Sequence, residues 1–445
     1  MKAVAALLAS VTMFGSAVPI PTAVTAVAPG TPPVLRLAGD CAPPTGDGGV
    51  ADSARMGQLR LEDVHAVATG RGQLIAVIDT GVAPHPRLDG RLIGGGDYLA
   101  DGDGLEDCDG HGTAVAGLIA ATPGPDGVAG MAPAAKLLSI RQFSRVVAAT
   151  GPGGPGRNAG DTGTLAAAIV RAVQAGATVI NISGAGCTPP RQAEAGGNEL
   201  RSALQFAARS DVVVVAAAGN RGVGGCDGPG VVPLPAWYDT EVLSVGAVGP
   251  GNRPASFTNP GPWVDVAAPG VGLRSLTVDG GTTTAGVEGT SFAAAWVAGL
   301  AALVRERFPE LTASQVVNRI LATARPLVDR EQEVGYGVID PLAALTAVPA
   351  VLTPPDPPPR ARLLGTEPAP PPPTTPSWPL LAVTLLCAAA TAAVMRLRRT
   401  GPTTYHPTRD HSGRASPLVG GSVSATAEYV HRMHGIGKIQ RGPRW

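Results

Sequence analysis

The stretch "LIAVIDTGV", residues 74–82, decides the fold. An apolar run rich in β-branched residues ends without a break in Asp79, and Thr80 and Gly81 follow at once. A strand wetted on one face would alternate apolar and polar positions. This one does not, so it reads as a strand buried on both faces, the pattern of a parallel sheet covered by helices. Similar runs recur at "KLLSI" (136–140), "TVINIS" (178–183) and "VVVVAAA" (212–218). Between them lie helical candidates at 111–121, 164–175 and 198–209. Alternation of this kind predicts an α/β domain with a mostly parallel, twisted sheet and helices on both faces. In such sheets chemistry gathers beyond the carboxyl ends of the strands, and Asp79 stands at one of those ends.

Three further stretches carry reactive groups at element ends. In "DGHGTAVAGLIAA" (109–121), His111 sits between two glycines and opens an apolar helix. "AAAGN" (216–220) closes a strand in Asn220, whose side-chain amide can donate hydrogen bonds. "EGTSFAAAWVAGL" (288–300) places Ser291 at the start of an Ala-rich helix in which Phe292, Trp296, Leu300 and Leu303 are spaced to share a face. Each has an ordinary reading: Asp79 as an Asx-turn residue, His111 as a structural ring, Ser291 as a helix cap. Together they read differently. A hydroxyl is a poor nucleophile until a base takes its proton; an imidazole does so near neutral pH, and a carboxylate fixes its tautomer and stabilises the imidazolium. Asp, His and Ser occur here in the chain order known for subtilisin-type proteases.

With these residues in view, the chain resembles the subtilisin family of serine proteases. "VIDTGV", "DGHGTAVAGLIA", "AAAGN" and "GTSFAAAWVAG" are similar to that family's Asp, His, oxyanion Asn and Ser motifs, and "ASFTNPG" (255–261), "VDVAAPG" (264–270) and "GYGVID" (335–340) add to the likeness, which covers roughly 70–345. The resemblance implies a subtilisin-like fold and an endopeptidase acting on a polypeptide. Asp79 would orient His111, His111 would act as base and then acid, Ser291 would attack the carbonyl, and Asn220 would donate to the oxyanion. "NISGAG" (181–186) resembles the segment that lines the specificity pocket and pairs with substrate as an added strand, which makes Ser183, Gly184, Ala185 and Gly186 candidates for substrate binding. Two positions depart from the family pattern: Ala295 stands where Pro is usual, and Ala114 stands where the His motif has its second His. Neither change removes a catalytic group.

The ends say where such a protein works. Lys2 precedes the apolar stretch "AVAALLASVTMFGSAVPI" and then small residues, so 1–26 reads as a secretory signal with cleavage sites after Ala17 or near Ala26; an uncleaved anchor is the alternative. An N-terminal extension, 27–60, leads into a catalytic domain at 61–348. A Pro-rich linker (349–377) is expected to favour extended polyproline II. "WPLLAVTLLCAAATAAVM" (378–395) reads as one short transmembrane helix, and "RLRR" (396–399) should hold the basic tail, 396–445, in the cytoplasm. The expected protein is thus a single-pass cell-membrane protein with an extracytoplasmic catalytic domain. Across 445 residues, 34 Lys and Arg balance 34 Asp and Glu, so no nucleic-acid footprint appears.

Signal, short extension, linker, single anchor and "NISGAGC" together resemble the mycosins, the membrane-anchored subtilases of type VII (ESX) secretion systems. That likeness implies a secretion membrane complex as partner. Cys41, Cys108, Cys187 and Cys226 lie in the exported body and allow three pairings. The resemblance implies Cys41–Cys108, tying the extension to the body, and Cys187–Cys226 within it; Cys387, in the anchor, would be unpaired. The extension is too short for a folded inhibitory domain and is expected to be an ordered wrap, with a trimmed leader as the alternative. "ATGPGGPGRNAGDTG" (149–163) reads as a surface loop near the cleft. The acidic segment "DYLADGDGLEDCDG" (97–110) lacks EF-hand spacing, and Asp107 or Asp109 reads better as support for the His loop than as a calcium ligand. No metal and no cofactor is expected. Two roles remain open from the sequence: a working endopeptidase, or a subtilase body that mainly stabilises the secretion complex, with proteolysis dispensable.

Overall fold

The computed structural model describes residues 34–37, 41, 48–50, 59–150, 158–228, 230–283, 285–348, 393 and 396. The signal (1–26) and the linker (349–377) lie outside the described residues, as do the span (378–395) and tail (396–445) apart from Ala393 and Arg396. Among the described residues no helix is long and apolar enough to cross a membrane.

Seven parallel strands form the central sheet. They are β1 (Leu74–Asp79), β2 (Leu92–Asp97), β3 (Lys136–Arg141), β4 (Val179–Ile182), β5 (Val213–Ala217), β6 (Leu243–Val248) and β7 (Val266–Pro269). Their spatial order is β7-β6-β5-β4-β1-β3-β2. The chain therefore runs out to the β2 edge, returns through β3, and crosses β1 to build the other half. β1 stands at this reversal, with Asp79 paired in register with Arg141 on one side and Ile78 with Ile182 on the other.

Successive strand residues point to opposite faces, and each face has its own core. Ile75 and Val77 of β1, with Val213 and Val215 of β5, pack against helices α1 (His111–Ala120) and α4 (Thr290–Arg307). Ala76, Ile78, Val214 and Ala216 pack on the other face against α2 (Thr162–Gln174) and α3 (Asn198–Arg209). This is the two-sided burial that the unbroken apolar runs require.

α4 is the central helix of the first layer. Every residue from Thr290 to Val304 is buried, so it is covered all round rather than along the single face that Phe292, Trp296, Leu300 and Leu303 define. Its many alanines let the sheet, α1 and α5 (Ala313–Thr323) approach closely, and Ala295 sits in an unbroken helix of 18 residues. Arg305 and Arg307 in the last turn complement its negative end. α2 and α5 are fixed by capping boxes, Asp161 with Thr164 and Thr312 with Gln315.

The extension contributes two strands to the body. Val34–Leu37 pairs antiparallel with Ser144–Thr150, which also pairs with Asn158–Ala159. Gly48–Val50 pairs antiparallel with Ala285–Gly286. The segment read as a loop at 149–163 is accordingly strand at both flanks, ending in the α2 cap; 151–157 lie outside the described residues. Disulfides join Cys41 to Cys108 and Cys187 to Cys226.

Candidate active site

The carboxyl edge of the sheet gathers the groups that the sequence scatters. β1 delivers Asp79, the segment after β4 delivers Ser183–Gly186, and the turn after β5 delivers Asn220. α1 begins at His111, and α4 carries Ser291 in its first turn.

Asp79 is fully buried, and its Oδ1 lies 2.7 Å from His111 Nδ1. The same oxygen accepts the Thr80 N–H at 2.7 Å. The ring can donate only from Nδ1–H, so this contact fixes the tautomer that leaves Nε2 as an acceptor. Phe292 lies 5.1 Å from the ring centroid on one side, and Phe143 presents an edge at 6.1 Å. His111 itself is 13% exposed at its side chain, enough for a substrate to reach.

Asp107 shapes the His loop. Its Oδ1 accepts from Thr80 Oγ1 and Gly110 N, each at 2.8 Å; its Oδ2 accepts from Thr113 N at 2.8 Å and Thr113 Oγ1 at 2.6 Å. Burial pushes its pKa up against these donors. Thr80 Oγ1 in turn accepts Gly112 N at 2.9 Å. Gly112 must be glycine, since a Cβ there would lie 1.9 Å from the Gly81 carbonyl oxygen. Asp109 accepts from Ser144 Oγ and Arg145 N, tying the loop to the strand that pairs with the extension. Both acids read as supports are thus occupied by donors. Among the described residues, the one metal-capable group of His, Cys and acidic side chains is Cys41, Glu106 and Cys108, and its two sulfurs are bonded to each other.

The Ser291 hydroxyl donates to the Ser183 carbonyl at 2.8 Å, not to the His111 ring. Engaging Nε2 requires a turn about χ1, an ordinary move between staggered wells. Ser183 Oγ accepts from Asn181 Nδ2 at 2.7 Å and donates to the Ser291 carbonyl at 3.3 Å, so the resting position is braced from both sides.

Asn220 is held by its oxygen. Oδ1 accepts Thr290 N at 3.0 Å and Thr290 Oγ1 at 2.9 Å. A backbone N–H can only donate, so the amide must face Thr290 with its oxygen, and Nδ2 is turned away with no acceptor among the described residues. Ser291 N–H, in the first turn of α4, also has none. The backbone of Asn220 bridges Thr258, Arg221 N–H donates to Phe257 O at 2.7 Å, and Asn259 N–H donates to Gly219 O at 3.0 Å. "ASFTNPG" therefore works as the brace of the Asn220 turn.

Beside these groups, Ser183 is buried and Gly184 and Ala185 are half-buried. Gly184 packs on the Phe143 ring, where a Cβ would come within 2.8 Å. Gly186 begins a short strand, Gly186–Thr188, that pairs antiparallel with Val232–Leu234. Cys187–Cys226 pins this strand, and Asn259 Nδ2 contacts Cys187 Sγ at 3.5 Å. Thr80, Thr113, Thr290, Phe143 and Asn181 are functional supports that sequence reasoning passed over. The hydroxyls beside Asp79 and Ser291, in "DTG" and "GTS", were the available signal.

A buried carboxylate on an imidazole, a serine at a helix N-terminus and two unspent donors define a hydrolase of the serine type. A family model described as the subtilase family matches residues 70–338. Mycosin-3 of Mycobacterium tuberculosis (strain ATCC 25618 / H37Rv) is 40% identical over 392 residues, covering 77% of this chain and 83% of that relative. Among solved structures, the MycP3 protease from the type VII (ESX-3) secretion system is 42% identical with a TM-score of 0.63, covering 71% of this chain and 94% of that one. A chain of an intact ESX-5 inner membrane complex is 34% identical with a TM-score of 0.60, covering 84% of this chain and 97% of that one. The chain belongs to the subtilase family of serine endopeptidases, on its mycosin branch.

Proposed function

We propose that this protein is a membrane-anchored, extracytoplasmic serine endopeptidase in which Asp79, His111 and Ser291 form the catalytic triad. The observation that carries the reading is the 2.7 Å contact between Asp79 Oδ1 and His111 Nδ1, which leaves Nε2 as the acceptor that can serve as a base. Substrate entering the cleft displaces the Ser291 hydroxyl from the Ser183 carbonyl. The hydroxyl turns to Nε2, gives up its proton and attacks the scissile carbonyl, while Asp79 stabilises the imidazolium. Charge develops on the carbonyl oxygen between Asn220 Nδ2 and Ser291 N–H. Neither donor has an acceptor among the described residues, so no bond within them has to break when the oxyanion forms. His111 then protonates the leaving amine, and water regenerates the enzyme by the same route. The segment Ser183–Gly186, half-buried at Gly184 and Ala185, takes the substrate backbone as an added strand.

Covalent labelling tests this. The full-length protein should react with a fluorophosphonate at Ser291; Ser291→Ala should not react, and His111→Ala should react far more slowly. A wild-type protein that refuses the probe overturns the reading.

The domain plan completes the proposal: signal 1–26, extension 27–60, catalytic domain 61–348, linker 349–377, anchor 378–395 and cytoplasmic tail 396–445. A structural role in the secretion complex is the second reading, supported by the likeness to a chain of the ESX-5 inner membrane complex. Native gels of solubilised membranes separate the two. If the body is a scaffold, deletion of the whole protein destabilises the complex and Ser291→Ala does not.

A further inference from the structure

A cavity of about 670 Å³ opens beside the Asn220 turn, lined among others by Arg221, Asn252, Arg253, Thr258, Arg330 and Glu333. Three of these carry guanidinium groups and one a carboxylate. Arg330 is paired with Glu333 at 3.6 Å. The Arg221 and Arg253 side chains, both exposed, have no hydrogen bond or ion pair among the described residues. The cavity thus carries two uncompensated positive charges in a chain whose acids and bases balance overall.

The cavity is built into the catalytic edge. Arg221 follows Asn220 directly, its N–H is fixed to Phe257 O at 2.7 Å, and Thr258, on the cavity wall, bridges the Asn220 backbone. An extended substrate advances ~3.3–3.5 Å per residue. Side chains two or three positions from the scissile bond therefore pass within reach of an arginine anchored one residue from the oxyanion donor. A guanidinium offers a planar fork that matches a carboxylate with two parallel bonds.

We propose that Arg221 and Arg253, with Arg330 at the rim, form a subsite for an acidic side chain of the polypeptide substrate near the cleaved bond. This assignment rests on the endopeptidase reading above. The subsite binds through the charge and fork geometry of the arginines and sets preference, while the triad supplies the chemistry. Glu333 occupies one arginine and leaves the charges of Arg221 and Arg253 for the ligand.

The test uses full-length protein in detergent and an internally quenched octapeptide library in which one position at a time is Glu or Gln, with cleavage sites read by mass spectrometry. At one position within three residues of the cut, wild type should favour Glu over Gln by about 3- to 10-fold in kcat/KM at low salt, the range that two or three partly exposed ion pairs supply. The preference should weaken markedly at ~0.5 M salt, where the Debye length falls to about 4 Å. It should also fall toward unity in the Arg221→Gln/Arg253→Gln variant. A binding arm with Ser291→Ala, reading the Kd of the same Glu and Gln peptides by fluorescence anisotropy, decides the matter independently of turnover. Failure to cut any peptide would count against the endopeptidase, yet tighter binding of the Glu peptides would still support the subsite. Equal binding of Glu and Gln peptides, or a Glu preference that survives in the double variant, overturns it.

Discussion

Asn220 is the residue at which stability and catalysis can be pulled apart. Its oxygen holds Thr290 through two hydrogen bonds, of 3.0 and 2.9 Å, while its nitrogen has no acceptor among the described residues. Asn220→Asp keeps an acceptor for Thr290 and replaces the donor by an anionic oxygen. The α4 N-terminus should stay capped, and folding stability should change by less than about 1 kcal/mol. The transition state, by contrast, loses one of two donors and meets a negative charge where its own develops. Loss of one such side-chain donor costs about 10²–10³ in kcat, ~3–4 kcal/mol, a range known from subtilisin and carried here by kinship. Repulsion adds to it, so kcat should fall at least 10²-fold with KM little altered. Asn220→Ala should show both losses: a similar fall in kcat and roughly 2–4 kcal/mol of stability, because the buried N–H and hydroxyl of Thr290 are left without their acceptor. Steady-state kinetics on an internally quenched peptide, normalised by fluorophosphonate titration, gives the first quantity, and thermal unfolding gives the second. An Asn220→Asp enzyme retaining more than a tenth of wild-type kcat would refute the oxyanion role.

Three other outcomes follow from the packing. Gly112→Ala drives a Cβ to 1.9 Å from the Gly81 carbonyl oxygen and 3.2 Å from Asp79 Cβ; it should shift the His loop and lower kcat more than tenfold, with a stability loss of about 1–3 kcal/mol by calorimetry. Removing Cys187–Cys226 by paired Ser substitutions frees a 39-residue separation and should cost about 4 kcal/mol in the loop-entropy model, read as a lowered unfolding midpoint; no change would mean that the strand at Gly186–Thr188 is held without it. Burial pushes the Asp265 carboxyl up to about 7 in spite of the hydrogen bond from Ser244 N–H, so its neutral form is favoured by the fold. Its contribution is therefore full below about pH 4 and is lost as pH rises toward 7, up to about 4 kcal/mol. Asp265→Asn should flatten that part of the stability–pH curve, and an unchanged slope in urea titrations at pH 4, 5.5 and 7 would count against it.

The strands most legible in the sequence are those dominated by β-branched residues. β1, β3, β4 and β5 fall within a residue or so of the apolar runs, because central strands buried on both faces leave no room for polar positions. β2, β6 and β7 were not distinguished as strands; β6, "LSVGAV", is interrupted by Ser244 and Gly246. β2 reads "LIGGGD", and its glycines mask the pattern: Gly94 and Gly95 lie where a Cβ would meet Asp103 and Ile140. β7, "VAAP", is small-residue packing at the opposite edge of the sheet. Asp79, His111, Asn220 and Ser291, which the fold gathers at the carboxyl edge of the sheet, were legible because each stands at an element end within a short pattern. The supports were less so. A Thr that donates to a buried carboxylate and a Thr that caps a helix look alike in sequence, and only the fold brings Thr80, Asp107 and Thr113 into one network. The hydroxyl contact from Ser291 to the Ser183 carbonyl joins residues 108 positions apart and has no local signal.

The two disulfides also change what a cut in the chain means. Cys41–Cys108 spans 67 positions and encloses Asp79; Cys187–Cys226 spans 39 and encloses Asn220. Each closes a covalent ring, and a ring opened at one peptide bond remains a single molecule. Its new ends stay tethered at an effective concentration in the millimolar range, which returns them to place after every fluctuation. An endopeptidase is exposed to such nicks wherever two copies meet. Here two of the four residues assigned to chemistry lie inside such rings, so the enzyme can take one break in each of those segments without coming apart.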